Sequence, residues 1–276
     1  MMKSTETKSF SGVVPPVATP LLPNGTIDHA SLEKLVDYLV GSGVHGLFAL
    51  GSTGETAYFT DSQRTEILRT IMSANSGRVP VIAGAIELTA PRIIETARSL
   101  ESVGPDAIVV TAPLYTLNSQ TEINAHFRSI SHALDVPLWA YDVPVRVHSK
   151  LSLELLMDLA KDGVIAGVKD SSGDDVAFRR LVAANSDAGR PLKLLTGHEL
   201  VVDAMLLAGA DGVVPGFANV DAIGYVKLWD AAERGDWIVR ARRPDSERLH
   251  RSLELRKLPA PADPERGAVL HDARQG

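Results

Sequence analysis

The chain has 276 residues, 45% of them hydrophobic and 22% charged, with a net charge of −6 and no cysteine. That length and apolar content support a sizeable buried core, long for one ordinary domain but normal for a single α/β barrel. The acidic balance argues against nucleic acid or an anionic membrane as partner, and the missing cysteines exclude a disulfide framework, a thiolate nucleophile and a cysteine-held metal.

The opening stretch MMKSTETKSF lacks the apolar core of a signal peptide, and no apolar run is long enough to span a bilayer. The expectation is a soluble, cytoplasmic protein. Strand-like apolar runs then recur at residues 12–18, 45–50, 79–85, 107–111, 137–141, 164–169, 192–196 and 212–214. Helix-like segments alternate with them at 31–39, 61–72, 91–100, 120–134, 152–159, 174–184, 199–208 and 221–233. In the first of these, Leu32, Leu35, Val36 and Leu39 follow a helical spacing behind Asp28, a candidate cap. Pro91 opens another, and Gly104, Gly163 and Gly209 mark helix ends. Eight alternating units predict an α/β fold, a (β/α)8 TIM barrel over residues 1–235. An open doubly wound sheet is the alternative, but near-uniform units favour closure. Residues 236–276 read as a short, atypical extension. Arg242-Arg243-Pro244 would break a helix there, and 257–276, rich in Pro, Ala, Asp and Arg, has no helical period.

In such a barrel the reactive residues stand at the carboxyl ends of the strands. The sixth run, GVIAGVKDSS over 163–172, ends in Lys169. A lysine at the end of a buried strand must reach water, find a partner or lose its proton. A desolvated, neutral amine is a nucleophile that forms Schiff bases with carbonyl compounds. The plainer reading is a lysine snorkelling to solvent. Gly51-Ser52-Thr53-Gly54-Glu55 follows the second run and offers two hydroxyls and exposed backbone N–H groups to a carboxylate or phosphate, or else is a tight turn. Tyr141 ends the fifth run as a possible proton shuttle or a half-buried aromatic. Arg146 lies just beyond, as a carboxylate holder or a surface charge. Gly197-His198-Glu199 follows the seventh run and is not a HExxH zinc motif; the eight histidines show no ligand spacing, so no metal is expected. Together these place a lysine, a tyrosine, a hydroxyl pair and an arginine at one end of one barrel, as Schiff-base chemistry on a keto acid requires.

Three motifs in this order, GSTGE at 51–55, YDVP at 141–144 and GVKDSSGD at 167–174, resemble those of the dihydrodipicolinate synthase / N-acetylneuraminate lyase family of pyruvate-dependent class I aldolases. ATPLLPNGTID at 18–28, APLY at 112–115 and GADGVVPGFANV at 209–220 support the resemblance, which spans about residues 12–237. It implies that Lys169 forms an imine with pyruvate, with no other cofactor. It makes Tyr141 the proton relay, has Ser52 hydrogen-bond Tyr141, and has Ser52 and Thr53 hold the carboxylate. Tyr115 matches a tyrosine that reaches into a neighbouring subunit, which implies a homo-oligomer, a dimer or tetramer. Arg146, Gly197, Glu199 and the Val214 carbonyl fall among substrate-contacting positions. The chain departs from the family pattern at Asp142 (commonly asparagine), at Leu114 (often tyrosine), at Pro215 (commonly serine) and after Gly235.

The resemblance thus implies a small-molecule enzyme that cleaves, dehydrates or forms 2-keto-3-deoxy acids. Glu199, matching an acid that binds sugar hydroxyls, favours that substrate class. Arg146 matches a residue of the alternative, synthesis of dihydrodipicolinate from pyruvate and aspartate semialdehyde. A non-catalytic keto-acid-binding relative is the second alternative.

Overall fold

A computed structural model describes residues 10–236. Eight strands lie in it: β1 (Gly12–Val13), β2 (Leu47–Ala49), β3 (Val81–Gly84), β4 (Ala107–Thr111), β5 (Leu138–Asp142), β6 (Gly167–Asp170), β7 (Lys193–Thr196) and β8 (Gly212–Val213). All pairs are parallel: β2 to β8 each pair with their neighbours in sequence, and β1 pairs with β8. The ring closes between β1 and β2. His45 donates to the Val13 carbonyl, Phe48 to that of Pro15, and Val17 to that of Phe48, across a bridge from Pro16 to Phe48. The first strand is shorter than the 12–18 expected because Pro15 and Pro16 have no N–H to give a ladder.

Nine α-helices among the described residues surround the strands: α1 (His29–Gly41), α2 (Asp61–Asn75), α3 (Ala90–Glu101), α4 (Gln120–Ser131), α5 (Pro144–Val147), α6 (Leu153–Lys161), α7 (Asp175–Asp187), α8 (Val202–Ala208) and α9 (Ala218–Glu233). Their starts are written in the sequence. Asp28 accepts from the Ser31 N–H at 3.0 Å at the head of α1, whose Leu32, Val36 and Leu39 are buried at the spacing noted above. Thr60 with Gln63, and Ser119 with Glu122, form reciprocal capping boxes on α2 and α4. A cap of this kind contributes about 1 kcal/mol.

Two helices also differ from expectation. The short helix α5 follows β5 because Val143-Pro144 puts proline in the first turn, a site too brief to show periodicity. The last helix, α9, expected from residue 221, starts earlier, at Ala218, and kinks at Asp221, whose carboxylate then accepts from the Gly224 N–H at 2.9 Å. The reading of 236–276 as an atypical extension, and of 257–276 as loose, lies outside the described residues apart from Asp236.

The amino-terminal end of the barrel is filled by apolar rings. Phe10 packs edge-on against Trp139 with centroids 5.5 Å apart. Gly167 stands opposite, where a Cβ would lie 2.6 Å from the Trp139 ring and 2.7 Å from the Lys193 carbonyl oxygen. Only glycine lets the indole pass, so the strand run GVKD starts with one.

Candidate active site

At the other end of the same strands the side chains become polar. Strand register sets Thr111 beside Tyr141, Tyr141 beside Lys169, and Lys169 beside Leu195. Paired residues of parallel strands face the same side, so this row points into the barrel. Lys169 shares a small apolar cavity with Phe48, Ile82, Val109, Trp139, Leu195 and Val214.

Lys169 is only 6% exposed. Its Nζ lies 3.9 Å from the Tyr141 ring centroid and 4.7 Å from that of Phe48. Burial pushes its pKa below the ordinary lysine value, against the opposing pull of Tyr141 and Glu199. The snorkelling reading is therefore wrong for this lysine. Tyr141 is buried too, and its hydroxyl meets Ser52 Oγ at 3.5 Å. Burial raises the phenol's pKa, but the charge of Lys169 and hydrogen bonds with Ser52, Lys169 and Ser171 outweigh it and leave the phenol below its usual value. A buried amine beside an acidified phenol can attack a carbonyl and pass protons during the attack.

The GSTGE loop forms a closed turn. Glu55 N–H donates to the Ser52 carbonyl and Thr56 N–H to that of Gly51, while Thr19 Oγ1 donates to the Gly54 carbonyl at 2.9 Å. Ser52 and Thr53 remain exposed at the barrel mouth. Gly197 donates its N–H to the Asp170 carbonyl at 2.7 Å, and a Cβ there would overlap Ser171 Oγ. Val214 is buried against the same cavity as Lys169.

Three expected residues stand apart from this group. Tyr115 is 91% exposed, in a left-handed backbone conformation with φ 71°. That conformation is costly for a bulky residue and gathers at functional sites. Arg146 is exposed on α5. Glu199 is near the lysine, but both its oxygens are engaged. Oε1 accepts from the Gly216 N–H at 2.8 Å, and Oε2 from the Phe217 N–H and the Tyr225 hydroxyl, each at 3.0 Å. It ties down the turn that enters α9.

The structure gives further residues here a place that the sequence reading did not assign them. Ser171 follows Lys169 by two positions and so shares its face, a signal the alternation of a strand could have supplied. Asp142 and Asp170 are paired in register on the opposite face and are both bridged by Lys150, Asp170 at 3.2 Å. Burial pushes Asp142 up to about 6, with Asp170 adding to the rise and Lys150 resisting it. No sequence signal marked Lys150, because its partners are eight and twenty residues away. Among the described residues no cluster of histidine and acidic side chains is placed to hold a metal.

The profile of the dihydrodipicolinate synthetase family matches residues 9–261. A 4-hydroxy-tetrahydrodipicolinate synthase of Phenylobacterium zucineum is 34% identical over 255 residues, covering 91% of this chain and 85% of the relative. YagE of E. coli K12, a prophage protein solved in complex with pyruvate, superposes with TM-score 0.81 at 29% identity, over 84% of this chain and 78% of its own. Dihydrodipicolinate synthase of Thermotoga maritima does so with TM-score 0.81 at 27% identity, over 89% and 81%.

Proposed function

Because the chain belongs to the dihydrodipicolinate synthetase family, whose members are pyruvate-dependent lyases and synthases working through a Schiff base, we propose that Lys169 is its imine-forming residue. The observation that carries this is the row Tyr141–Lys169, an amine with a depressed pKa lying 3.9 Å over the ring of a phenol. The neutral amine attacks the ketone of pyruvate. Tyr141 supplies and recovers the protons of the carbinolamine and imine steps, and Ser52 fixes its hydroxyl. Ser52 and Thr53 bind the carboxylate, with Gly197 and Val214 shaping the pocket. The protonated imine is an electron sink, so the pyruvate methyl becomes acidic and the enamine attacks or releases an aldehyde. The lysine itself supplies this chemistry and no further cofactor enters.

The substrate class proposed is 2-keto-3-deoxy acids, cleaved, dehydrated or formed. Glu199 contributes by holding the Gly216–Phe217 turn rather than by presenting a free carboxylate. The exposed Arg146 guanidinium favours a second reading, condensation of pyruvate with aspartate semialdehyde, whose carboxylate it can bind. The protein acts as a cytoplasmic homo-oligomer, a dimer or tetramer. Tyr115 and Leu117, at 91% and 80% exposed, form the apolar surface for a second copy. Among the described residues no helix is long and apolar enough to cross a membrane.

Borohydride added with pyruvate should attach a reduced adduct to Lys169 and inactivate the protein. A label on another lysine, or none on folded protein, would refute the assignment. Paired assays, pyruvate release from 2-keto-3-deoxy acids against condensation with aspartate semialdehyde, separate the two substrate readings by their kcat/KM.

A further inference from the structure

Thr111 ends β4 and belongs to the inward row. Val109, two positions earlier, lines the cavity with Lys169, and Tyr141 is Thr111's register partner. The residue is 1% exposed, and its Oγ1 has no hydrogen-bond partner among the described residues. Its backbone is held from the outer side, where His126 Nε2 bonds the Thr111 carbonyl at 3.1 Å. The strand is thus held from outside, and its alternation turns the Thr111 side chain inward.

A buried, unsatisfied hydroxyl is costly, and valine would fill the same volume without that cost. The side chains lining the cavity are apolar apart from Lys169, and no described group bonds the hydroxyl. Its partner is a small polar molecule that visits the site. Tyr141, the register partner of Thr111, stands at the same level, so the molecule is one handled where the imine forms. Imine formation produces one such molecule. The Lys169 amine adds to the ketone carbon as the C=O π bond breaks, and the proton that the nitrogen gives up reaches the oxygen through Tyr141 to give a neutral carbinolamine. The nitrogen lone pair then forms the C=N bond as the C–O bond breaks, a second proton joins the departing oxygen, and one water leaves. Hydrolysis returns that water.

We infer that Thr111 is a positioning residue that holds, with Tyr141, the water released and consumed at the Lys169 imine. A hydroxyl both donates and accepts, as a water passing between carbinolamine and solvent requires. The inference rests on the assignment of Lys169.

The test is exchange of ¹⁸O from labelled water into the ketone of pyruvate, with the rate of borohydride trapping alongside. In Thr111→Val both rates should fall about tenfold, the loss of roughly one hydrogen bond in a barrier. Equilibrium binding of pyruvate and the unfolding temperature should stay at or above wild type, and Thr111→Ser should restore the rates. Wild-type exchange in Thr111→Val would overturn the inference while leaving Lys169 standing. So would slow exchange that Thr111→Ser fails to restore, which would mark a packing effect. A wild-type protein that neither exchanges nor traps pyruvate would overturn the Lys169 assignment, and this inference with it.

Discussion

The two ends of the barrel are built from the same strands and do opposite things. On β5 and β6 the amino-terminal positions are Trp139 and Gly167, a ring and the space for it. Two residues later, on the same inward face, come Tyr141 and Lys169. The first pair closes the core against Phe10 at a centroid distance of 5.5 Å. The second buries an amine and a phenol whose charged forms the apolar lining disfavours. One end is complementary to itself and the other to something it binds. A strand needs only four or five residues to pass from one role to the other, because alternation keeps every second side chain on the inner face.

This contrast can be broken most sharply at Lys169. Lys169→Met should lower turnover by at least about 10⁴-fold, as loss of a covalent nucleophile does, and abolish borohydride labelling. Its unfolding temperature, measured by calorimetry, should equal or exceed that of wild type, since a buried amine is replaced by an apolar chain of similar length. Tyr141→Phe should cost about 10²–10⁴ in kcat with a smaller change in pyruvate binding. Wild-type turnover would make Tyr141 merely structural. At the opposite end the signs reverse. Trp139→Ala should destabilise by about 3–5 kcal/mol in urea unfolding, and because the ring also lines the Lys169 cavity, turnover of the folded molecules should fall, but by less than in Tyr141→Phe.

The smallest expected effect lies behind the row, at Asp142. Burial raises its pKa from 3.8 to about 6. The folded state therefore keeps a proton that the unfolded state has already lost, and this group's contribution to stability falls as pH rises through that window. Lys150, which spans Asp142 and Asp170, is raised above 10.5, so its own contribution is present throughout that window and is lost only at higher pH. Asp142→Asn should flatten the pH dependence between 4 and 6 while Asp170 keeps Lys150 paired. An unchanged slope would show that Asp142 titrates normally.

The alternation of strand-like and helix-like runs was legible in the chain because each unit buries one face and caps its own helix with nearby residues such as Asp28, Thr60 and Ser119. Position also gave Lys169 and Tyr141, since a polar residue ending a buried strand is conspicuous whatever surrounds it. What the sequence could not carry was contact between distant residues. The register that sets Thr111 beside Tyr141 joins residues thirty apart, and the carboxylates flanking Lys150 come from two strands. Glu199 shows the limit most clearly. Its motif reads as a substrate-binding acid, yet the fold brings Gly216, Phe217 and Tyr225 to its oxygens. A residue type fixes which bonds a side chain can make. Only the packed barrel, by choosing which groups lie within 3 Å, decides which of them it does make.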